Sequence, residues 1–294
     1  KLPFISIPDQ VKAIEESAFD SCTSLKKIYL LNGLVEIKRN AFYECSSLTK
    51  IELPKTTTNI GIGAFSNCYH LEQVKIVVTE SSKLTFEDSC FQNCKKLKEV
   101  IFVNPELFTE NSFVMKDKVF KYCENLKYFN FPSCKNIGKS CFKNCKSLES
   151  VTLPQNLQNI SKNIFNNCSS LEKINLDDSI ISIGNGAFKN CTKFIIEHFP
   201  LSLETIGVES FINCEKLVNI VLSKNLKSIA ENAFQNCANL EIMTINSEDY
   251  KIAREAFCHC DKLRKLFYKS QNGIHSEAFK NCSDIEFITI ENKI

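Results

Sequence analysis

The side chain with the most chemistry to offer in this sequence is cysteine. The 294 residues include 16 cysteines and only four histidines. A count this high in a short secreted chain signals a disulfide framework, and elsewhere it signals metal binding or a catalytic thiol. Cys258-His259-Cys260 invites a zinc reading. A tetrahedral site needs about four ligands at compatible spacing, however, and adjacent residues point in divergent directions. A nucleophilic thiol needs a histidine beside it in a cleft, and His70, His198, His259 and His275 have no motif around them. The sequence therefore predicts no catalytic residue, no metal ligand and no cofactor, and a chain that is not an enzyme.

Spacing gives the cysteines a different meaning. Twelve of them stand three residues after a phenylalanine, from Phe19-x-x-Cys22 to Phe279-x-x-Cys282. Three residues further on comes leucine or a substitute, such as Leu25, Phe194 or Ile285. Most steps between these phenylalanines are 23 residues, with two of 22, one of 26 and one of 29. Such self-similarity marks a stacked-repeat architecture. Each unit reads roughly I-x-x-x-A-F-x-x-C-x-x-L-x-x-I-x-L-P, as in Ile37, Ala41, Phe42, Cys45, Leu48, Ile51, Leu53 and Pro54.

The elements follow from this pattern. The alternating I-x-L stretch, as in Ile28-Tyr29-Leu30, predicts a half-buried strand. Pro54, Pro132 and Pro154 end strands, because proline cannot extend a ladder. The A-F-x-x-C stretch steps by three and predicts a short 3₁₀ or single α turn. Asn precedes the cysteine in eight of twelve units, and Asn tolerates the left-handed backbone that closes such a turn. One unit cannot bury its apolar side alone, whereas stacked units cover one another. The expected fold is an α/β solenoid, curved and right-handed, with about twelve repeats of ~23 residues. Its parallel sheet lies on the concave face and its short turns on the convex face. It forms a single domain over 1–294, with repeats over about 14–290. Residues 1–13 form a partial first repeat or cap, with Ile5 and Ile7 in strand positions.

In this frame neighbouring ladder thiols lie about one strand spacing, ~4.8 Å, apart with parallel vectors. A disulfide needs sulfurs at ~2.05 Å and a twisted dihedral, so buried free thiols are expected. Cys90 and Cys141 occupy the Ala slot and read as core. Cys134 and Cys258 lie off the template and read as the thiols readiest to react or pair.

The recurring A-F-x-x-C-x-x-L-x-x-I-x-L-P, clear in Ala18-Phe19 through Leu30 and in Cys141-Phe142 through Pro154, resembles the BspA-like, or Treponema pallidum type, leucine-rich repeats. The resemblance covers about Ile14 to Ile290. It implies strands on the concave side, short turns on the convex side, and a surface or secreted protein that binds host proteins or mediates adhesion. It brings no shared catalytic residue. Repeat eight departs from the pattern at Phe194-Ile195-Ile196-Glu197-His198-Phe199, and extra residues precede Phe91 and Phe120.

Candidate binding residues are then the outward strand positions, chiefly Tyr29, Lys50, Lys75, Tyr128, Lys173, Lys265, Phe267 and Phe287. Exposed aromatics between charges suit a binding surface, although strand propensity on a solvated face gives a similar composition. Leu107 and Phe108, in the insertion Asn104–Asn111, either anchor a partner or fold back over the stack. The expected partners are proteins, host proteins included, with glycans as a second ligand class. A net charge of +2 gives no reason to expect nucleic acid, and no apolar run is long enough to span a bilayer. Asn159-Ile160-Ser161 and the Asn-Cys-Ser/Thr triplets at Asn167, Asn190 and Asn281 match the glycosylation sequon, but the three triplets arise from the repeat itself. Lys1-Leu2-Pro3-Phe4 has no apolar signal segment and fits a trimmed mature domain or a cytosolic start. Localisation is expected to be the cell surface or outside the cell, with a cytoplasmic scaffold as the alternative. After the last strand, either Glu291-Asn292-Lys293 shields an apolar edge or the natural chain continues.

Overall fold

The structure is a computed structural model and describes residues 3–270 and 273–290. The expectation about Glu291-Asn292-Lys293 falls outside the described residues. The chain divides into two compact units, Lys1–Pro154 and Gln155–Ile294. Each is a parallel β-solenoid holding six of the twelve phenylalanine repeats.

In the first unit the I-x-L stretches form the expected parallel sheet. Phe4–Ile7, Lys27–Leu30, Lys50–Leu53, Gln73–Val77 and Glu99–Val103 lie side by side in sequence order. Ile5 pairs with Ile28 and Ile7 with Leu30. A second parallel sheet is an addition to the sequence reading. It is built from Ala13–Ile14, Glu36–Ile37, Asn59–Ile60, Leu84–Phe86 and Phe113–Met115. Its inward residue is the apolar side chain five positions before each phenylalanine, such as Ile37, Ile60, Phe86 or Met115, and all four are buried. In the second unit the same short ladder runs through Asn159–Ile160, Ser182–Ile183, Thr205–Ile206, Ser228–Ile229 and Lys251–Ile252. The long strands Asn219–Leu222, Ile242–Ile245, Lys265–Tyr268 and Glu286–Thr289 form a four-stranded sheet.

Between the short and long strands the A-F-x-x-C stretch makes chained turns. The i→i+3 bonds of the expected short helix are present, as Ala18 N–H to Glu15 O at 3.2 Å and Cys22 N–H to Phe19 O at 3.1 Å. The intervening residues donate instead to the next repeat, as Ser17 to Arg39 O, Phe19 to Ala41 O and Ser21 to Tyr43 O. Two left-handed residues in each turn but the last rotate the peptide groups to allow this. One precedes the cysteine, as expected for Asn67 (φ 62°) and Asn190 (φ 61°). The other lies two residues before the phenylalanine, as at Asn40, Asn163 and Asn232 or at Gly63 and Gly186. Asn and Gly take this backbone most cheaply. Among the described residues the one helical element is the 3₁₀ turn Pro105–Leu107, and no helix is long and apolar enough to cross a membrane.

The core is a stack of layers. In the first unit Phe19, Phe42, Phe65, Phe91, Phe120 and Phe142 stack ring on ring at centroid spacings from 5.0 to 5.7 Å. In the second, Phe165, Phe188, Phe211, Phe234, Phe257 and Phe279 do the same at 5.0 to 5.6 Å. Beside each stack runs a cysteine ladder. Along the ladder thiols donate to the carbonyl of the preceding repeat's phenylalanine, as Cys45 to Phe19 O at 3.1 Å and Cys214 to Phe188 O at 3.2 Å. Alanine would leave the volume of the sulfur empty and that bond unmade, which accounts for cysteine in the slot. Outside the core an asparagine ladder starts at Asn167, and the amides of Asn190, Asn213 and Asn236 each donate to the preceding Oδ1.

Phe211 lies between Phe188 and Phe234 and is fully buried. Truncation by Phe211→Ala is expected to cost about 3–5 kcal/mol of stability in chemical denaturation. The outward-facing Val221→Ala should cost under about 0.5 kcal/mol.

Candidate binding surface

The sixteen cysteines are free thiols, and fourteen are buried. Only Cys22 and Cys282, on the first and last rungs of the ladder, are half-exposed. The reading of Cys134 and Cys258 as the readiest to react is corrected, because both are buried. Cys134 fills the slot that Leu34, Leu157, Ile180, Leu203 and Leu226 occupy in other repeats. The shortened spacing after Phe120 disguised it. In Cys258-His259-Cys260, the Cys260 thiol donates into the core to Phe234 O at 3.2 Å, while the His259 ring lies 3.3 Å from the Asn281 amide outside it. Among the described residues no three His, Cys, Asp or Glu side chains are grouped to hold a metal.

Burial pushes Cys45, Cys134, Cys141 and Cys237 up to about 12. These thiols stay neutral in the folded chain at pH values where the unfolded chain ionises. Their contribution is complete below the unfolded value of ~8.5 and is lost as pH rises toward the folded value, at up to ~1.4 kcal/mol per thiol per pH unit.

The outward face of the long strands differs between the two units. In the first, its groups are largely engaged with one another. Lys75 pairs with Glu52 at 2.8 Å, Gln73 donates to Glu99, and Lys27 sits 4.6 Å from the centre of the Tyr29 ring. Tyr29 and Lys50 are exposed as expected. Tyr128 is 54% exposed and donates its hydroxyl to Glu149. In the second unit Lys173 pairs with Glu197 at 3.5 Å and Lys265 approaches Glu286 at 3.9 Å. Beside Lys265 and Glu286 runs an in-register row of Val221, Thr244, Phe267 and Ile288.

Two candidates move. Phe287 is not an outward residue. The last strand is slipped by one, so that Phe287 pairs with the inward Leu266 and Ile288 takes the outward position beside Phe267. Its ring packs edge-on against Phe279 and keeps 47% exposure. Phe108 is 3% exposed and packs on Phe102 and Phe113, so it covers the stack rather than protruding. Leu107 is half-buried in the 3₁₀ turn.

Both irregular stretches interrupt the long-strand sheet, and each interruption opens a cleft. In the first unit the sheet stops at Glu99–Val103 and restarts at Tyr128–Asn130. A cleft of about 310 Å³ lies there, lined by Ile101, Phe102, Pro105, Tyr128, Asn130 and Phe131 among others. In the second unit a single bridge, Lys173 to Ile195, joins the strand at Lys173–Ile174 to the following long-strand segment. The two segments then open around a cleft of about 270 Å³ that includes Asn175, Ile196 and His198. The sequence marked both places by their departure from the repeat, but it did not single out Phe102, Pro105 or Phe131.

This repeat geometry is matched at the level of sequence. Residues 1–116, 114–211 and 195–294 match the BspA type leucine-rich repeat region. The chain belongs to the BspA-type leucine-rich repeat family. A leucine-rich repeat protein from Bacteroides ovatus is 25% identical, over 99% of this chain and 84% of its own, with a TM-score of 0.65. The pneumococcal vaccine antigen PcpA shares the fold at 20% identity, covering 98% of this chain and 79% of its own, with a TM-score of 0.51. A leucine-rich repeat protein of Treponema pallidum is 25% identical over 66% of this chain and 78% of its own, with a TM-score of 0.44. No curated protein matches the chain.

Two measurements check the thiols of this BspA-type chain. In native protein a thiol reagent should label Cys22 and Cys282 first, and all sixteen should react in denaturant without reductant. Stability should be flat to about pH 8 and fall from about pH 9 to 11 as unfolded thiols ionise. A stability that rises over that range would contradict buried neutral thiols.

Proposed function

We propose that this BspA-type chain is a non-enzymatic recognition module, a single domain over 1–294, that binds partner proteins through the outward face of its long strands. The carrying observation is the row Val221, Thr244, Phe267 and Ile288. It is in register across four parallel strands, carries no charge, and faces away from the phenylalanine stack. Val221 alone is 56% exposed. Interface centres are depleted in charge and enriched in aromatic residues, whereas rims are polar. Lys265 and Glu286 beside this row supply such a rim. Exposed Tyr29 and Tyr128 leave glycans as a second ligand class.

The proposed location is the cell surface or the exterior, host proteins being the proposed partners, and it rests on the family resemblance. The sixteen free thiols favour a second reading, an intracellular protein-interaction scaffold, because reducing compartments preserve thiols. Antibody labelling of intact against permeabilised producing cells separates the two. Labelling of intact cells is expected, and labelling only after permeabilisation selects the scaffold.

Binding is tested on an array of host matrix proteins and glycans. A protein ligand is expected, and Val221→Lys or Phe267→Lys should weaken it about tenfold or more by placing a charge in the contact. Binding unchanged in both variants would remove this face from the reading.

A further inference from the structure

The cleft in the first unit has a floor that a flat binding face lacks, namely the edge of an unfinished sheet. Glu99–Val103 pairs with Gln73–Val77 on one side, and the sheet ends there. In a parallel strand, alternate residues turn their main-chain groups to opposite edges. Val103 faces the preceding strand, since its carbonyl accepts from Val78 N–H at 3.1 Å. By alternation Val100 and Phe102 present their N–H and C=O groups to the cleft, and both residues line it. The next repeat does not take up this edge. The 29-residue step and the left-handed Asn104 (φ 59°), followed by the Pro105–Leu107 turn, carry the chain away.

The side chains around this edge restrict the occupant. Ile101, Pro105, Tyr128 and Phe131 give the cleft an apolar wall. The charges at its rim already have partners: Lys98 lies 2.9 Å from Glu72, and Glu99 accepts from Gln73. The Tyr128 hydroxyl is given to Glu149, so what it offers the cleft is its ring. A volume of about 310 Å³ is at the lower end of small-ligand sites.

We propose that the cleft between Glu99–Val103 and Tyr128–Asn130 binds an uncharged, extended peptide segment of a partner protein as an added strand on the Val100–Phe102 edge. Main-chain pairing supplies the affinity, and an apolar side chain seated beside Ile101, Pro105 and Tyr128 supplies the selectivity. The proposal rests on protein recognition as the function and adds the form of the partner.

The test is selection of a random dodecapeptide display library on the full chain. Enriched peptides should alternate apolar residues and lack an enriched charge. Ile101→Lys and, separately, Asn130→Lys should each weaken the selected peptide about tenfold or more, with thermal melts showing that the variants fold. N-methylation of alternate peptide amides should abolish binding, which a side-chain-only contact would survive. Val221→Lys should have no effect. No enrichment, or peptides indifferent to both cleft variants or to N-methylation, overturns the proposal. If partner proteins bind and only Val221→Lys matters, the recognition function stands and this cleft does not serve it. If neither proteins nor peptides bind, both readings fall.

Discussion

Every feature of this chain depends on one constraint: each repeat must rise by the spacing of one β-strand. Parallel ladders hold neighbouring backbones about 4.8 Å apart. Aromatic rings stacked face to face tolerate a similar separation, and here their centroids lie from 5.0 to 5.7 Å apart. The phenylalanine stack and the strand ladders can therefore share one axis without strain between them. Anything that repeats along that axis becomes a ladder. The thiols, the asparagine amides and the left-handed turn residues are consequences of the same rise. This also explains how two-residue strands persist. A strand of that length has almost no stability alone, but each is held between two copies of itself and over a buried apolar side chain.

The same constraint sends irregularity to the outward side. A regular solenoid presents a closed sheet with every internal edge satisfied. The 29-residue step and the Ile195–His198 stretch break that regularity on the outward side while leaving the phenylalanine stack intact within each unit. The core tolerates the interruption because its layers are fixed by the short strands and chained turns, which continue past it. Met115 keeps its place in the short ladder beside Phe86 although the long strand that follows it in the chain, Tyr128–Asn130, does not join the sheet of Glu99–Val103. The cost falls on the exposed side, as an unpaired edge and a cleft.

The cysteines illustrate how a reactive residue can be structural. Buried among apolar side chains, their thiols are pushed toward the neutral form, as the rise of Cys141 to about 12 shows. The inner ones donate to a phenylalanine carbonyl rather than awaiting a partner. Chemistry is left to the outside, and there the two units differ. The outward residues of the first are engaged in ion pairs and amide contacts, and those of the second include an uncharged row.

By itself the sequence determined the repeat, its register and the contents of its core, because periodic burial writes itself into residue types. Phe, Cys and Leu recur where water is excluded, and Asn recurs where the backbone must turn left-handed. It also located the two interruptions, since a broken period is visible without coordinates. Only the tertiary structure decided which side of the backbone an off-period residue takes. Cys134 and Phe108 are buried, and Phe287 turns inward, because a one-residue change of spacing or pairing exchanges the two faces of a strand. The second ladder of short strands was equally hidden, since two residues carry no alternation to read. The clefts were hidden too, because they are made by what two neighbouring segments fail to pair, and that absence has no residue type of its own.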